Sequence, residues 1–153
     1  MPQLKDVQIR AAAPEEVVDL RLAVLRPGFP REAAIFPLDR EPGTNHFVAV
    51  TTAGNRIVGC VTISCPRPWP EHDDAIQLRA MAVADDFRGA GVGRRLLARV
   101  DEHVAALPPP RPIMWCNARV GAIGFYERCG WTVASDVFDS PPAGAHVKMT
   151  RQI

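Results

Sequence analysis

One stretch limits what this chain can become more than any other: Arg88-Gly89-Ala90-Gly91-Val92-Gly93, set between a β-rich run over residues 75–83 and the most regular helical pattern in the sequence. Glycines let main-chain N–H groups approach an anion with no side chain in the way. The helix that follows opens with amides that have no intrahelical acceptor and with a partial positive charge. A strand, a glycine turn and a helix in that order form a cradle for phosphate. The helix is marked by Val92, Leu96, Leu97, Val100, Val104 and Leu107 at helical spacing, and Pro108, Pro109 and Pro110 end it.

Two common phosphate loops fail on spacing. A P-loop needs G-x-x-x-x-G-K-[ST], and no lysine lies between Lys5 and Lys148. A dinucleotide fingerprint needs G-x-G-x-x-G, whereas Gly89, Gly91 and Gly93 are two apart and follow a hairpin rather than opening a βαβ unit.

Around this turn, prolines and glycines divide the chain into short elements. Residues 7–11 alternate as a strand, and Pro14, Glu15 and Glu16 open a helix that Pro27 and Gly28 stop. Residues 29–45 hold Pro30, Pro37 and Pro42 and predict a long irregular loop. Residues 47–51 and 56–64 predict a hairpin. In the strand over 75–83 the alternation slips near Arg79 and Ala80, as a β-bulge would make it. A strand over 113–116, a helix over 120–129 closed by Gly130, and strands over 131–137 and 146–150 complete the order β-α-β-β-β-α-β-α-β-β. Strands that first run together and then alternate with helices predict an α/β (α+β) fold with a mixed, mostly antiparallel central sheet of six to seven strands flanked by helices.

The 153 residues suit a single domain spanning 1–153. Eighteen Lys and Arg against 17 Asp and Glu leave a charge of +1, too small a field to gather nucleic acid or anionic lipid. The charged N-terminus and the shortness of the longest apolar run, residues 57–63, argue against a signal peptide or membrane span and predict a cytoplasmic protein. Cys60, Cys65, Cys116 and Cys129 form no C-x-x-C pair and read as reduced structural thiols. The four histidines, His46, His72, His103 and His146, have no metal-ligand spacing, so no metal is expected. None of the three serines lies in G-x-S-x-G.

A third phosphate pattern, R-x-x-G-x-G, is met by Arg88, Gly91 and Gly93. With it come Asn117-Ala118-Arg119, then Gly124-Phe125-Tyr126-Glu127-Arg128-Cys129-Gly130-Trp131, and ahead of the turn Leu78-Arg79-Ala80-Met81-Ala82-Val83. Together these resemble the two signatures and the central strand of the GNAT superfamily of acetyl-CoA-dependent N-acetyltransferases, best over residues 77–133. The resemblance implies that the backbone of Met81, Ala82 and Val83 pairs with the pantetheine arm of acetyl-CoA. It implies that the N–H groups of Gly89, Ala90, Gly91, Val92, Gly93 and Arg94 hold the diphosphate. Arg88 would neutralise charge, with Arg94 and Arg95 placed to help, and Asn117 would bond the pantetheine. The acceptor would be a primary amine of a small molecule or peptide that attacks directly in a ternary complex. Many relatives pair, so a homodimer is also implied.

Acetyl transfer to an amine requires attack on a thioester, stabilisation of the developing oxyanion and protonation of the leaving thiolate. Tyr126, the only tyrosine, is the candidate acid, and the N–H of Val83 is the candidate oxyanion donor. Where many relatives have a glutamate base this chain has Gln77, which cannot take a proton. His46, Asp73, Asp74 and His146 are the substitutes. Cys116 invites an acetyl-cysteine route, but a thiol in apolar surroundings holds little thiolate. Two further readings stand beside the enzyme: a non-catalytic acyl-CoA sensor or interaction module, and a nucleotide-binding α/β domain.

Overall fold

The computed structural model describes residues 4–108 and 113–153. Its sheet contains eight strands: β1 (Val7–Ala12), β2 (Thr44–Thr51), β3 (Ile57–Ser64), β4 (Ile76–Val83), β5 (Ile113–Arg119), β6 (Thr132–Val133), β7 (Phe138–Asp139) and β8 (Ala145–Gln152). They lie in the order β1-β2-β3-β4-β5-β8-β6, with β7 also on β8. Every pairing is antiparallel except β4 with β5. The mixed, mostly antiparallel sheet flanked by helices agrees with expectation. The eighth strand arises because residues 131–137 do not form one continuous strand. Beyond Val133 the Ala134 N–H still donates to Lys148 O at 2.8 Å, but the Lys148 N–H goes to the Ser135 Oγ at 2.8 Å instead of to the backbone, and pairing resumes at Phe138.

Three α-helices cover the sheet: α1 (Val18–Leu25), α2 (Val92–Ala105) and α3 (Ile123–Arg128). Successive residues of a strand face opposite sides, so β3 shows where each helix sits. Thr62 meets Arg21 of α1 (2.9 Å). Gly59, of opposite parity, lies so close to α2 that a Cβ there would come within 2.8 Å of Val92 and 2.9 Å of Leu96. Helices α1 and α2 therefore occupy opposite faces. Helix α3 shares the face of α2, because Gly93 lets the Phe125 ring approach to 3.0 Å of where its Cβ would stand. Buried Val48, Val58, Val61, Leu78, Leu96, Val100 and Met149 belong to one core.

The expected helix after the glycine turn is observed, ending at Ala105; Pro109 and Pro110 lie outside the described residues. Residues 29–45 are less irregular than expected, since a 3-10 turn spans Arg31–Ala34 and β2 already begins at Thr44. A buried ion pair holds that segment down. Arg21, with no exposed surface, donates to both carboxylate oxygens of Asp39 at 2.6 and 3.0 Å, and Arg79 reaches the same carboxylate at 3.3 Å. Among the described residues no helix is long and apolar enough to cross a membrane.

Candidate active site

Strands β4 and β5 are paired only at their starts, Ile76 with Met114, Gln77 with Trp115 and Leu78 with Cys116. Past that point no residue of either strand pairs with the other, and a gap opens within the sheet. The bulge expected at Arg79 and Ala80 is where β4 turns away. Cys60 faces Ala82 while Thr62 faces Arg79, so both Ala80 and Met81 stand opposite Val61. Ala80 takes a positive φ of 53°, a conformation costing a β-carbon residue about 1–2 kcal/mol. Pairing on both sides of the bulge imposes it. Ala84 N–H donates to Val58 O of β3 at 2.8 Å. By alternation the main-chain groups of Val83, opposite Gly59, turn away from β3 toward the gap.

A cavity of about 190 Å³ occupies the gap. Leu25, Arg26 and Phe36 border it from the side of α1, Met81 and Asn117 from the diverging strands, and Tyr126 from α3 on the opposite side. It thus joins the two faces of the sheet. The glycine turn follows β4 in the chain and opens α2, on the face of the sheet that α3 shares. Gly89 and Gly91 have φ of 77° and 89°, and Arg95 is the first amide of this helix to bond an i−4 carbonyl, that of Gly91 at 3.1 Å. The amides of Val92, Gly93 and Arg94 belong to the first turn, which leaves its donors free for an anion. An extended strand edge, a helix opening and a cavity through the sheet fit the arm, diphosphate and thioester of an acyl-coenzyme.

The expected arginines are placed differently from one another. Arg88 is exposed and pairs with Asp85 at 3.1 Å. The Arg94 side chain turns to Arg128 O (3.3 Å) and that of Arg95 to Val7 O on β1 (3.0 Å). From this pair only the Arg94 amide joins the helix opening. Asn117 lies within β5 rather than after a strand, and its Oδ1 accepts the Lys148 ammonium at 3.0 Å, leaving its amide hydrogens to the cavity.

Tyr126 is 7% exposed; its hydroxyl has a single described partner, the Met81 sulfur at 3.8 Å. Burial first, then the neighbouring Cys116 and Cys129, raise the phenol well above its ordinary value, so it keeps its proton at physiological pH. Burial also pushes the Cys116 thiol up to about 12, which removes the acetyl-cysteine route.

Of the four base candidates only His146 lines the cavity. Its Nδ1 lies 2.7 Å from Gly144 O. A carbonyl can only accept, so Nδ1 carries the hydrogen and Nε2 is the basic atom of the neutral ring. His146 stands opposite Arg119 in the β5–β8 ladder, hence on the α1 face. His46 is buried in the ion-pair network: Nε2 donates to Asp39 O (3.0 Å), and Nδ1 accepts from the Thr62 hydroxyl (2.7 Å), whose oxygen receives Arg21. Gln77 is occupied as acceptor of the Arg67 Nε hydrogen at 2.9 Å. Sequence reasoning missed Arg26 and Arg119. With 16 arginines in the chain, nothing in their spacing distinguishes them. Among the described residues no three ligating side chains gather as a metal site would require.

A family profile for the acetyltransferase (GNAT) domain matches residues 42–133. The chain is 26% identical over 147 residues to an uncharacterized N-acetyltransferase of Bacillus subtilis, YitI, covering 96% of this chain and 97% of that protein. Among solved structures it resembles an acyl-CoA N-acyltransferase from Pseudomonas aeruginosa at TM-score 0.72 and 16% identity, covering 95% of this chain and 99% of the other. A GNAT family acetyltransferase from Elizabethkingia anophelis, solved with acetyl-CoA bound, superposes at TM-score 0.67 and 17% identity, covering 97% and 99%. At such identities the structural likeness speaks for the fold.

Proposed function

Since the chain belongs to the acetyltransferase (GNAT) family, we propose that it transfers the acetyl group of acetyl-CoA to a primary amine by direct attack in a ternary complex, with Tyr126 as acid and His146 as base. The observation that carries this reading is the gap between β4 and β5, which has Tyr126 on one face of the sheet and His146 on the other.

Acetyl-CoA supplies a thioester whose carbonyl the amine attacks. On this reading the free edge of β4 at Met81, Ala82 and Val83 pairs with the pantetheine arm, and Asn117 donates to it from β5. The amides of Gly89, Gly91, Val92, Gly93 and Arg94 hold the diphosphate, that of Ala90 being turned to Phe87 O at 3.4 Å, and Arg88 lies beside them. The Val83 N–H stabilises charge as it grows on the carbonyl oxygen. A lysine-like amine at pH 7 is less than about one part in a thousand neutral. His146 Nε2, on the acceptor side, takes its proton.

In solution a phenol of pKa about 10 would donate uphill to a thiolate of about 8.5. Inside the gap both groups move the same way, because burial that raises the phenol raises a thiol as well, as Cys116 illustrates. The phenol therefore stays the weaker acid, and holding it against the departing sulfur, where the growing thiolate charge is paired with the proton as it moves, is what this reading asks of Tyr126.

Steady release of free CoA thiol from acetyl-CoA with a panel of amines tests the reading. Release that depends on the amine and is lost in Tyr126→Phe supports the enzyme. Thermal protection by acetyl-CoA with no release from any amine would instead identify an acyl-CoA sensor.

A further inference from the structure

Two arginines at the α1 side of the gap converge on one oxygen. Arg26 Nη1 and Arg119 Nη2 both donate to the Leu25 carbonyl, at 3.0 and 3.1 Å. Both line the cavity, and neither faces a carboxylate among the described residues. By contrast, the buried Arg21 and the largely buried Arg79 share the Asp39 carboxylate, and the half-buried Arg151 has Asp101.

Capping the last turn of α1 accounts for one hydrogen bond from each guanidinium. Each has five N–H donors, and apart from the Phe36 ring, 5.6 Å from Arg26, no other partner is described for either. Two like charges held side by side in a partly enclosed site repel, and burial together with the charge of Arg119 lowers the proton affinity of Arg26. A bound anion would reverse that penalty.

The anion is not the coenzyme's diphosphate. Helix α2 and its glycine turn lie on the opposite face of the sheet from α1, as Gly59 and Thr62 establish. On the α1 face the arginines have His146 as neighbour, across the ladder from Arg119. Two planar guanidiniums match the paired oxygens of a carboxylate.

We infer that Arg26 and Arg119 form an anion subsite that holds a carboxylate of the acceptor, so that the substrate is a small amino acid-like molecule whose amine is thereby brought to the thioester and to His146. This rests on the acetyl-transfer reading for its chemistry, but the subsite itself can be tested without turnover.

The experiment uses the full chain and the Arg26→Gln/Arg119→Gln double variant, with thermal melts in saturating CoA. The probes are N-acetylamino acids and their matched carboxamides, and acetyl-CoA turnover is assayed with the parent amino acids and amides. The expected result is that acids raise the melting temperature of the wild type more than their amides, and that the double variant loses this difference. Where turnover occurs, kcat/KM favours the acid about tenfold or more, and the double substitution removes that preference through the acceptor KM while sparing the KM for acetyl-CoA. Acid-specific protection without turnover keeps the subsite and overturns only the acetyl-transfer reading. Equal protection by acids and amides overturns the subsite, as does a rise in the acetyl-CoA KM alone, which would assign both arginines to the coenzyme.

Discussion

The Tyr126 hydroxyl points at the Met81 sulfur across the mouth of the β4 bulge, 3.8 Å away. A thioether is a weak acceptor, so this phenol has no strong partner to surrender and stands ready for a better one. Removing the oxygen should therefore leave the fold intact while removing the proton donor. Tyr126→Phe is expected to melt within about 1 kcal/mol of the wild type and to lose about 100-fold or more in kcat. Acetyl-CoA should still protect it against heat. Equal kcat in the two proteins would remove the tyrosine from the chemistry.

His146 provides the matching test on the α1 face. Its Nδ1 is committed to Gly144 O, so only Nε2 can act. His146→Ala should lower kcat at neutral pH by about 100-fold, and added free imidazole should restore part of the rate. Loss of rate without chemical rescue in an otherwise folded variant would point to packing against Phe138 instead, whose ring stacks on it at 6.0 Å.

Gly91 opens α2 with a φ of 89°, a region where a β-carbon is strained. Gly91→Ala should reduce stability by about 1–2 kcal/mol. It should also raise the Kd for acetyl-CoA measured by calorimetry, because relaxing the turn redirects the amides of the first helical turn. Gly93→Ala acts elsewhere, on the contact between α2 and Phe125, and should cost stability more than affinity.

Asp39 neutralises two buried or half-buried cations, Arg21 and Arg79. Burial alone would raise its carboxyl. The hydrogen bonds from Arg21 and from the Phe36 N–H, together with the charges of Arg21 and Arg79, outweigh that and hold it below the usual range. Asp39→Asn leaves Arg21 uncompensated in the core, an arrangement that costs about 3–5 kcal/mol. Urea unfolding should register that loss, and a midpoint unchanged from wild type would contradict the network's role.

His46 makes the same network sensitive to pH. Burial lowers its affinity for a proton, outweighing the Asp39 carbonyl, and the nearby Arg21 and Arg79 charges add to that effect. The unfolded chain, with histidine near 6.5, then binds more protons than the folded one. This contribution to stability is present in full above about pH 6.5 and is lost as pH falls below it toward the lower folded value. The melting temperature should decline between pH 7.5 and 5, and His46→Gln, which keeps one donor and one acceptor, should flatten that decline.

Much of this molecule was legible in its sequence because the signals were local. Alternation and its slip at Arg79 and Ala80 located a strand and its bulge, and a run of apolar residues from Val92 at helical spacing located α2. Three glycines in six residues located the anion cradle between them. Each of these depends on residues within one turn or one strand of each other. The residues proposed to take a proton and to hold an acceptor do not. His46 and His146 look alike in the chain, yet the fold places one in an ion-pair network and opens the other to a cavity. Arg26 and Arg119 are 93 positions apart and become neighbours only because α1 ends beside the diverging tip of β5. Local chemistry determined where main-chain amides gather to meet an anion; the packing of distant segments decided which side chains line the gap between β4 and β5, since burial and convergence belong to the folded sheet and to no stretch of sequence.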